Sequence, residues 1–465
     1  MIKATEAAGR NAKDNREVFA TMPVWQALRA MCVPTIIAQM VVLVYNLADT
    51  FFIGRTGNPY MVAATSLILP VFNVSIGISG FLGVGGGTLV SRLMGLKRDE
   101  EARKVSGFLV YLGIVVSLLY VLLLYQLADP LLRALGASEN TFAYAKQYLL
   151  LVSVIGGVPT ILQLIMSQLL RAVGCSKQAS FGISMGGILN MFLDPLFMFV
   201  LLPTGQEVVG AGIATMLSNV ASLVYFLYIV YGLRDRTVLT LSPRCGLPEA
   251  KSIRSALAGG IPAATGNILF DFSQIMINKL MSGYGDIALA AMGIVLKAER
   301  IPLNIGGGIA QGMMPIVAFN YGARNFPRLQ ETVRKSRIAG LVMAACAILF
   351  YQLCANPIMG IFIDNGETQT LGAAFLRARC LATPFMFMSF HILFAFQGMG
   401  KAGIAMMLAT VRQLVLYVPV LLLMDYIFGR DGLVWAQLVS DIVNVAFSFY
   451  VYNGFMRKQG LESRD

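Results

Sequence analysis

Charge is scarce in this chain. Asp, Glu, Lys and Arg make up 13 % of its 465 residues, about half the share of a typical soluble protein, which argues against water as its main solvent. Histidine occurs once, at His391, in the middle of an apolar run, where it reads as a hydrogen-bonded structural residue before a proton carrier. There is no GxxxxGKS/T loop, so ATP is not held in the Walker manner, and no HExxH or other catalytic constellation, so the chain does not read as an enzyme. The one glycine-rich run, GVGGG at 83–87, lies too deep in an apolar stretch to cradle phosphate and suits close helix packing. The six cysteines show no metal-ligand spacing and read as small hydrophobes. The segment Met1–Ala30 carries Arg10, Lys13 and Arg16 but no apolar core, which excludes a cleaved signal peptide. The formal charge of +12 is spread among apolar runs rather than gathered into a basic domain, and no nucleic-acid partner is expected. With no cofactor motif in view, ion gradients are the remaining source of energy.

What the chain has is hydrophobicity: 57 % of its residues are apolar. Twelve stretches are long enough to cross a hydrocarbon core of about 30 Å. They fall near residues 31–54, 61–91, 106–128, 147–170, 179–202, 208–232, 256–282, 288–318, 338–356, 380–398, 403–428 and 432–456. Lipid offers no partner to an open backbone, so spans of this kind must be helices. The predicted fold is an all-α polytopic membrane protein of twelve transmembrane helices in two six-helix lobes. Its parts are a cytoplasmic N-terminal segment (1–30), an N-lobe (31–232), a cytoplasmic linker (233–255), a C-lobe (256–456) and a cytoplasmic tail (457–465). Most of the 36 lysines and arginines lie in the two tails and in the loops after even-numbered spans, which puts both termini in the cytoplasm. A monomer in a bacterial inner membrane, bathed in lipid, is expected.

The chain also repeats itself. Pro34 in VPTIIAQ stands 228 residues before Pro262 in IPAATGN. GVGGGTLVSRLMG (83–95) precedes a basic loop, as QGMMPIVAFNYG (311–322) does in the second half. RAVGCSK ends at Lys177 and QGMGK at Lys401, and a proline follows each by 18 residues, at Pro195 and Pro419. VGAGIATMLSN (209–219) returns as DGLVWAQLVSD (431–441), at an offset of 222. A steady offset over six spans is a tandem duplication; six being even, both copies enter the bilayer the same way. The lobes should then be related by a pseudo-two-fold along the membrane normal, the plan in which two bundles rock against each other.

A carboxylate at bilayer depth costs at least roughly 2.5–3.5 kcal/mol, so each one asks for a function or a partner. Asp49 and Asp194 fall inside the first and fifth spans, and no lysine or arginine occurs in spans 1, 3, 5 or 6 to neutralise them. Asn46 precedes Asp49 by three residues and Asn190 precedes Asp194 by four, which puts each amide on the face of its acid. An oxygen-rich cluster of this kind suits sodium or a shared proton, because acids brought together out of water share protons readily. The duplicate positions hold Ile277 and Val418, so neither acid is needed to build the fold. Pro195, next to Asp194, should kink its helix.

In the second half, Asp271 and Glu299 lie close in sequence to Lys279, Lys297 and Arg300, which predicts ion pairs among them. Glu299 and Asp271 could alternatively face a cationic substrate. Asp441, with Asn444 one turn on, reads as a helix-packing contact. The stretch PFMFMSFHILFAFQ (384–397) offers Met386, Phe390 and Gln397 as soft, polarizable walls for varied ligands.

NLADTFFIG, NMFLDPLFMF, RAVG with its following lysine, QGMGK and QGMMPIVAFNYGARN together resemble the multidrug and toxic compound extrusion (MATE) family over essentially the whole chain. The resemblance implies two lobes around a V-shaped cavity. It also implies export of lipophilic, often cationic, small molecules by alternating-access antiport with H+ or Na+. It carries Asp49, Asn190 and Asp194 onto the family's N-lobe cation site, with Na+ as their ligand if coupling is to sodium, and adds Thr215. Some members keep an acid in the tenth helix; here none occurs between 380 and 398, which favours coupling through the N-lobe. The alternative is a flippase of lipid-linked oligosaccharide or another amphipathic lipid precursor, which would be expected to show cavity-facing arginines and often two further helices.

Overall fold

The computed structural model describes residues 11–459, with side chains from residue 16 onward; the start of the N-terminal segment, including Arg10 and the Lys13 side chain, and the tail from residue 460 lie outside the described residues. All regular structure among these residues is helical. The short helix Asn11–Ala20 precedes the first span, Val24–Gly54. Then come the second to sixth spans: Pro59–Gly95, Asp99–Ala134, the pair Glu139–Ile155 and Gly157–Ala172 bent by 45°, Ser176–Leu201 and Glu207–Leu233. The seventh is Ala250–Ser282 and the eighth Asp286–Gly322. Phe326–Phe362 and Gly366–Gly398 are the ninth and tenth, and Ala402–Lys458 holds the eleventh and twelfth. Gly429, at φ 59° and ψ −139°, breaks that last run into two; only glycine takes such a conformation without strain. The seventh span falls outside the set judged apolar enough to cross a bilayer alone, because Asn267, Asp271, Gln274, Asn278 and Lys279 interrupt it.

Lipid explains the surface. Leu119, Phe192, Val200, Tyr228 and Leu353 are at least 60 % exposed, a cost in water and none in hydrocarbon.

The chain forms two compact units. One holds Ile37–Ala263 with the N-terminal segment through Met22; the other holds Pro23–Ile36 and Ala264–Asp465. In the first unit an apolar core gathers Ile68, Leu132, Ala145, Leu149 and Ala211. Glycine lets its helices touch: a Cβ on Gly85 would stand 2.4 Å from the Gly260 nitrogen, and one on Gly260 would fall 1.8 Å from the Phe81 carbonyl oxygen. The GVGGG run is thus a packing surface, as expected. In the second unit the core gathers Ile277, Met292, Tyr351, Tyr417 and Leu433, and Gly308 and Gly312 admit Ile36 and Cys32 to van der Waals contact.

Proline marks the irregular turns. Pro195 is followed at once by a wide π-helical turn, Phe197–Leu201, and a second one, Val411–Tyr417, ends two residues before Pro419. A third, Leu150–Ile155, sits at the bend of the fourth span. Pro302 acts differently. Its ring excludes the hydrogen bond to the carbonyl four residues back, at Ala298, and the eighth span breaks there into Asp286–Ala298 and Arg300–Gly322. The Tyr351 hydroxyl donates to that released carbonyl at 2.6 Å. Glu299 occupies the break.

Candidate functional site

Asp194, Asn190 and Thr215 meet inside the first unit. The Asn190 amide donates to Asp194 Oδ1 at 3.2 Å and lies 3.3 Å from Thr215 Oγ1. Asp194 is fully buried and Asn190 nearly so. Helical spacing brings Asn190 and Asp194 to one face, and close approach of the fifth and sixth spans brings Thr215 to both. Glycine permits that approach: a Cβ on Gly186 would stand 2.2 Å from Ser222 Oγ, and one on Gly182 would stand 2.4 Å from the Phe226 ring. Gly187 performs the same service for the first span, where a Cβ would press Tyr45 at 2.9 Å. The first span thereby carries Asp49 close enough for its charge to act on Asp194.

Three buried oxygens here accept no hydrogen bond: Asp49 Oδ1, Asn190 Oδ1 and Asp194 Oδ2. Buried acceptors are nearly always satisfied, so oxygens left without donors favour a proton or a cation beside them. The donors are two carboxylates, an amide and a hydroxyl.

Tyr45 and Tyr148 stand within electrostatic reach of both aspartates. Nothing in their spacing announced them, since buried tyrosines are common. Asn46 corrects the expectation. It is exposed, with its backbone carbonyl accepting from Thr50 at 2.9 Å, and its side chain is outside the network. Three residues of helix leave the two side chains about 60° apart around the axis, enough for Asn46 to point away from the network.

The second unit pairs its charges in ways local spacing did not reveal. Glu299 receives two hydrogen bonds from Arg379, at 2.8 and 3.0 Å, and not from Lys279, Lys297 or Arg300. Asp441 is no simple packing contact: it receives Arg412 Nε at 3.0 Å and Gln437 Nε2 at 2.6 Å, while Asn444 donates to Ser389 at 2.9 Å. Arg412 is an ionisable residue in the middle of the eleventh span, plain in the sequence VRQLV once the span is drawn. The Arg412 guanidinium carbon also lies 4.8 Å from the Phe390 ring centre.

Met386 and Glu299 line one small cavity with Arg300, Arg379 and Arg412. Phe390 joins through Arg412, and Asp271 neighbours its wall residue Phe270. Gln397 does not line it and is buried elsewhere with Oε1 unpartnered. His391 is fully buried, its Nδ1 2.6 Å from the Phe387 carbonyl oxygen and its ring against Gly340.

Long apolar helices carrying unneutralised acids at depth define an integral membrane transporter. The chain belongs to the MatE family, whose pattern matches it twice, over residues 34–196 and again over 262–423, the two copies of the duplication. It is 28 % identical to the multidrug export protein MepA of Staphylococcus aureus over 424 residues, covering 91 % of this chain and 92 % of that protein. With the MepA of Staphylococcus saprophyticus it shares 27 % over 427 residues, with the same coverage. Its fold is that of the crystal structure of MATE in complex with MaL6, with a TM-score of 0.90 at 22 % identity, covering 96 % of this chain and 98 % of the other. It is also that of the Vibrio cholerae MATE transporter VcmN in the bent form, at 0.86 and 23 %, covering 94 % and 98 %.

Proposed function

We propose that this protein is a secondary active exporter of the bacterial inner membrane, with both termini in the cytoplasm. It expels lipophilic, often cationic, compounds by alternating-access antiport with H+ or Na+. The first unit's cluster of Asp49, Asn190, Asp194 and Thr215 carries the coupling ion, and the lobes run over 31–232 and 256–456. One observation carries this reading: three buried oxygens of two spans, on Asp49, Asn190 and Asp194, have no donor, in a unit whose duplicate has the fully buried Ile277 where Asp49 stands. The similarity to multidrug export proteins over nine-tenths of the chain supports the cargo class.

The test is efflux from proteoliposomes under an imposed proton or sodium gradient, comparing wild type with Asp194→Asn. Wild type should respond to one gradient and the variant to neither. Undiminished gradient-driven efflux in Asp194→Asn would remove the cluster from the mechanism.

A further inference from the structure

The second unit encloses a cavity of about 50 Å³. One water needs roughly 10–15 Å³ of such space, so the cavity holds a group of a few heavy atoms. Its wall carries three guanidinium groups, from Arg300, Arg379 and Arg412, against one lining carboxylate, Glu299. Both oxygens of Glu299 are taken by Arg379. Asp441, behind the wall residues Arg412 and Gln437, is taken by both of them.

Two cationic groups therefore keep unspent capacity. Arg379 is 3 % exposed, and its buried Nη1 is left without a well-formed hydrogen bond, as is the hydroxyl of Tyr417 beside it in the wall. Arg300, exposed at its end of the cavity, rests its guanidinium carbon 5.1 Å from the Phe270 ring centre and takes part in no ion pair among the described residues. A buried donor left unmade is costly, and planar guanidinium groups match carboxylates with two parallel hydrogen bonds. A cation entering here would find both acids already neutralised. The rest of the wall mixes apolar and aromatic side chains, Phe270, Leu303 and Met386 among them, with polar ones such as Ser273, Gln413 and Tyr417.

We propose that this cavity binds the carboxylate of an amphipathic aromatic compound, with Arg379 Nη1 and Arg300 as its donors and Phe270 against its ring. The inference rests on the export reading and deepens it: zwitterions that join a lipophilic cation to a carboxylate become a favoured substrate class.

Rhodamine 110 and its methyl ester, rhodamine 123, test this, because they share one cationic ring system and differ in the free carboxylate. Binding to the purified full-length protein in lipid nanodiscs is read by fluorescence polarisation. Arg300→Met, which touches neither buried ion pair, should weaken rhodamine 110 roughly three- to fivefold, as expected for one partly exposed charge, and leave rhodamine 123 within about twofold. Arg300→Glu should reverse the preference toward the ester. Equal effects on both dyes, or no effect on either, would overturn the proposal. Gradient-driven efflux of rhodamine 123 from proteoliposomes is measured in parallel. Its absence counts against the export reading, whereas a lost acid–ester difference in binding counts against this site alone.

Discussion

Arg412 donates through Nε to Asp441 Oδ1 at 3.0 Å from a neighbouring span of the second unit, with side chains 8 % and 1 % exposed. Each group would be intolerable there alone. A buried pair is weak evidence for net stability, but breaking it from one side leaves an uncompensated charge, at a cost of about 3–5 kcal/mol. Arg412→Met should therefore lower the thermal unfolding temperature of the purified protein sharply. Adding Asp441→Leu should recover most of the loss, and a double variant no better than the single would show that the pair is not the source of the effect.

Glu299 is held by two hydrogen bonds from Arg379. Glu299→Gln should thus cost stability, seen as earlier unfolding, while leaving the ranking of cationic over neutral substrates in an efflux assay unchanged. A changed ranking would mean that Glu299 leaves Arg379 to meet cargo.

Thr215 lies 3.3 Å from the Asn190 amide, which in turn donates to Asp194. Thr215→Val keeps the shape and removes the oxygen. Gradient-driven efflux should fall several-fold, less than for Asp194→Asn, with the protein remaining folded by size-exclusion chromatography. Wild-type coupling in this variant would exclude Thr215 from the ion's ligands.

Gly260 and Gly266 lie six residues apart on one helix and differ in their surroundings. A Cβ on Gly260 would overlap the Phe81 carbonyl oxygen, which is backbone and cannot swing away, whereas one on Gly266 meets nothing within 4 Å. Gly260→Ala should abolish most of the folded yield in membranes, and Gly266→Ala should leave it at wild-type level. Equal yields would show that the seventh span can shift away from the second.

The twelve spans and their duplication could be read from the sequence because lipid enforces them: apolar length is the whole requirement, and the repeats carry punctuation such as Pro34 and Pro262 that survives divergence. Asn190 and Asp194 could be paired in advance because four residues along a helix is a local relation. Glu299 with Arg379, 80 residues apart, and Arg412 with Asp441, 29 apart, are relations between helices. Local spacing instead pointed Glu299 at Lys297 and Arg300, its chain neighbours, whose side chains leave the helix in other directions. Asn46 failed for a related reason. An offset of three places two residues near each other without aiming both at one point. Tyr45 reached the cluster only because Gly187 lacks a side chain, a fact about fit that no single position announces.

The wide turn at Phe197–Leu201 begins three residues after Asp194. Such a turn stores a surplus residue, since the same rise is covered by more chain than an α-helix needs. Deleting one residue from it should be absorbed by tightening to ordinary helix, leaving Asp194 in register with its neighbours. The same deletion between Ser176 and Asn190 would swing everything beyond it by about 100°. The fifth span thus contains a built-in slack point, placed where the backbone can change length without dragging the acid along.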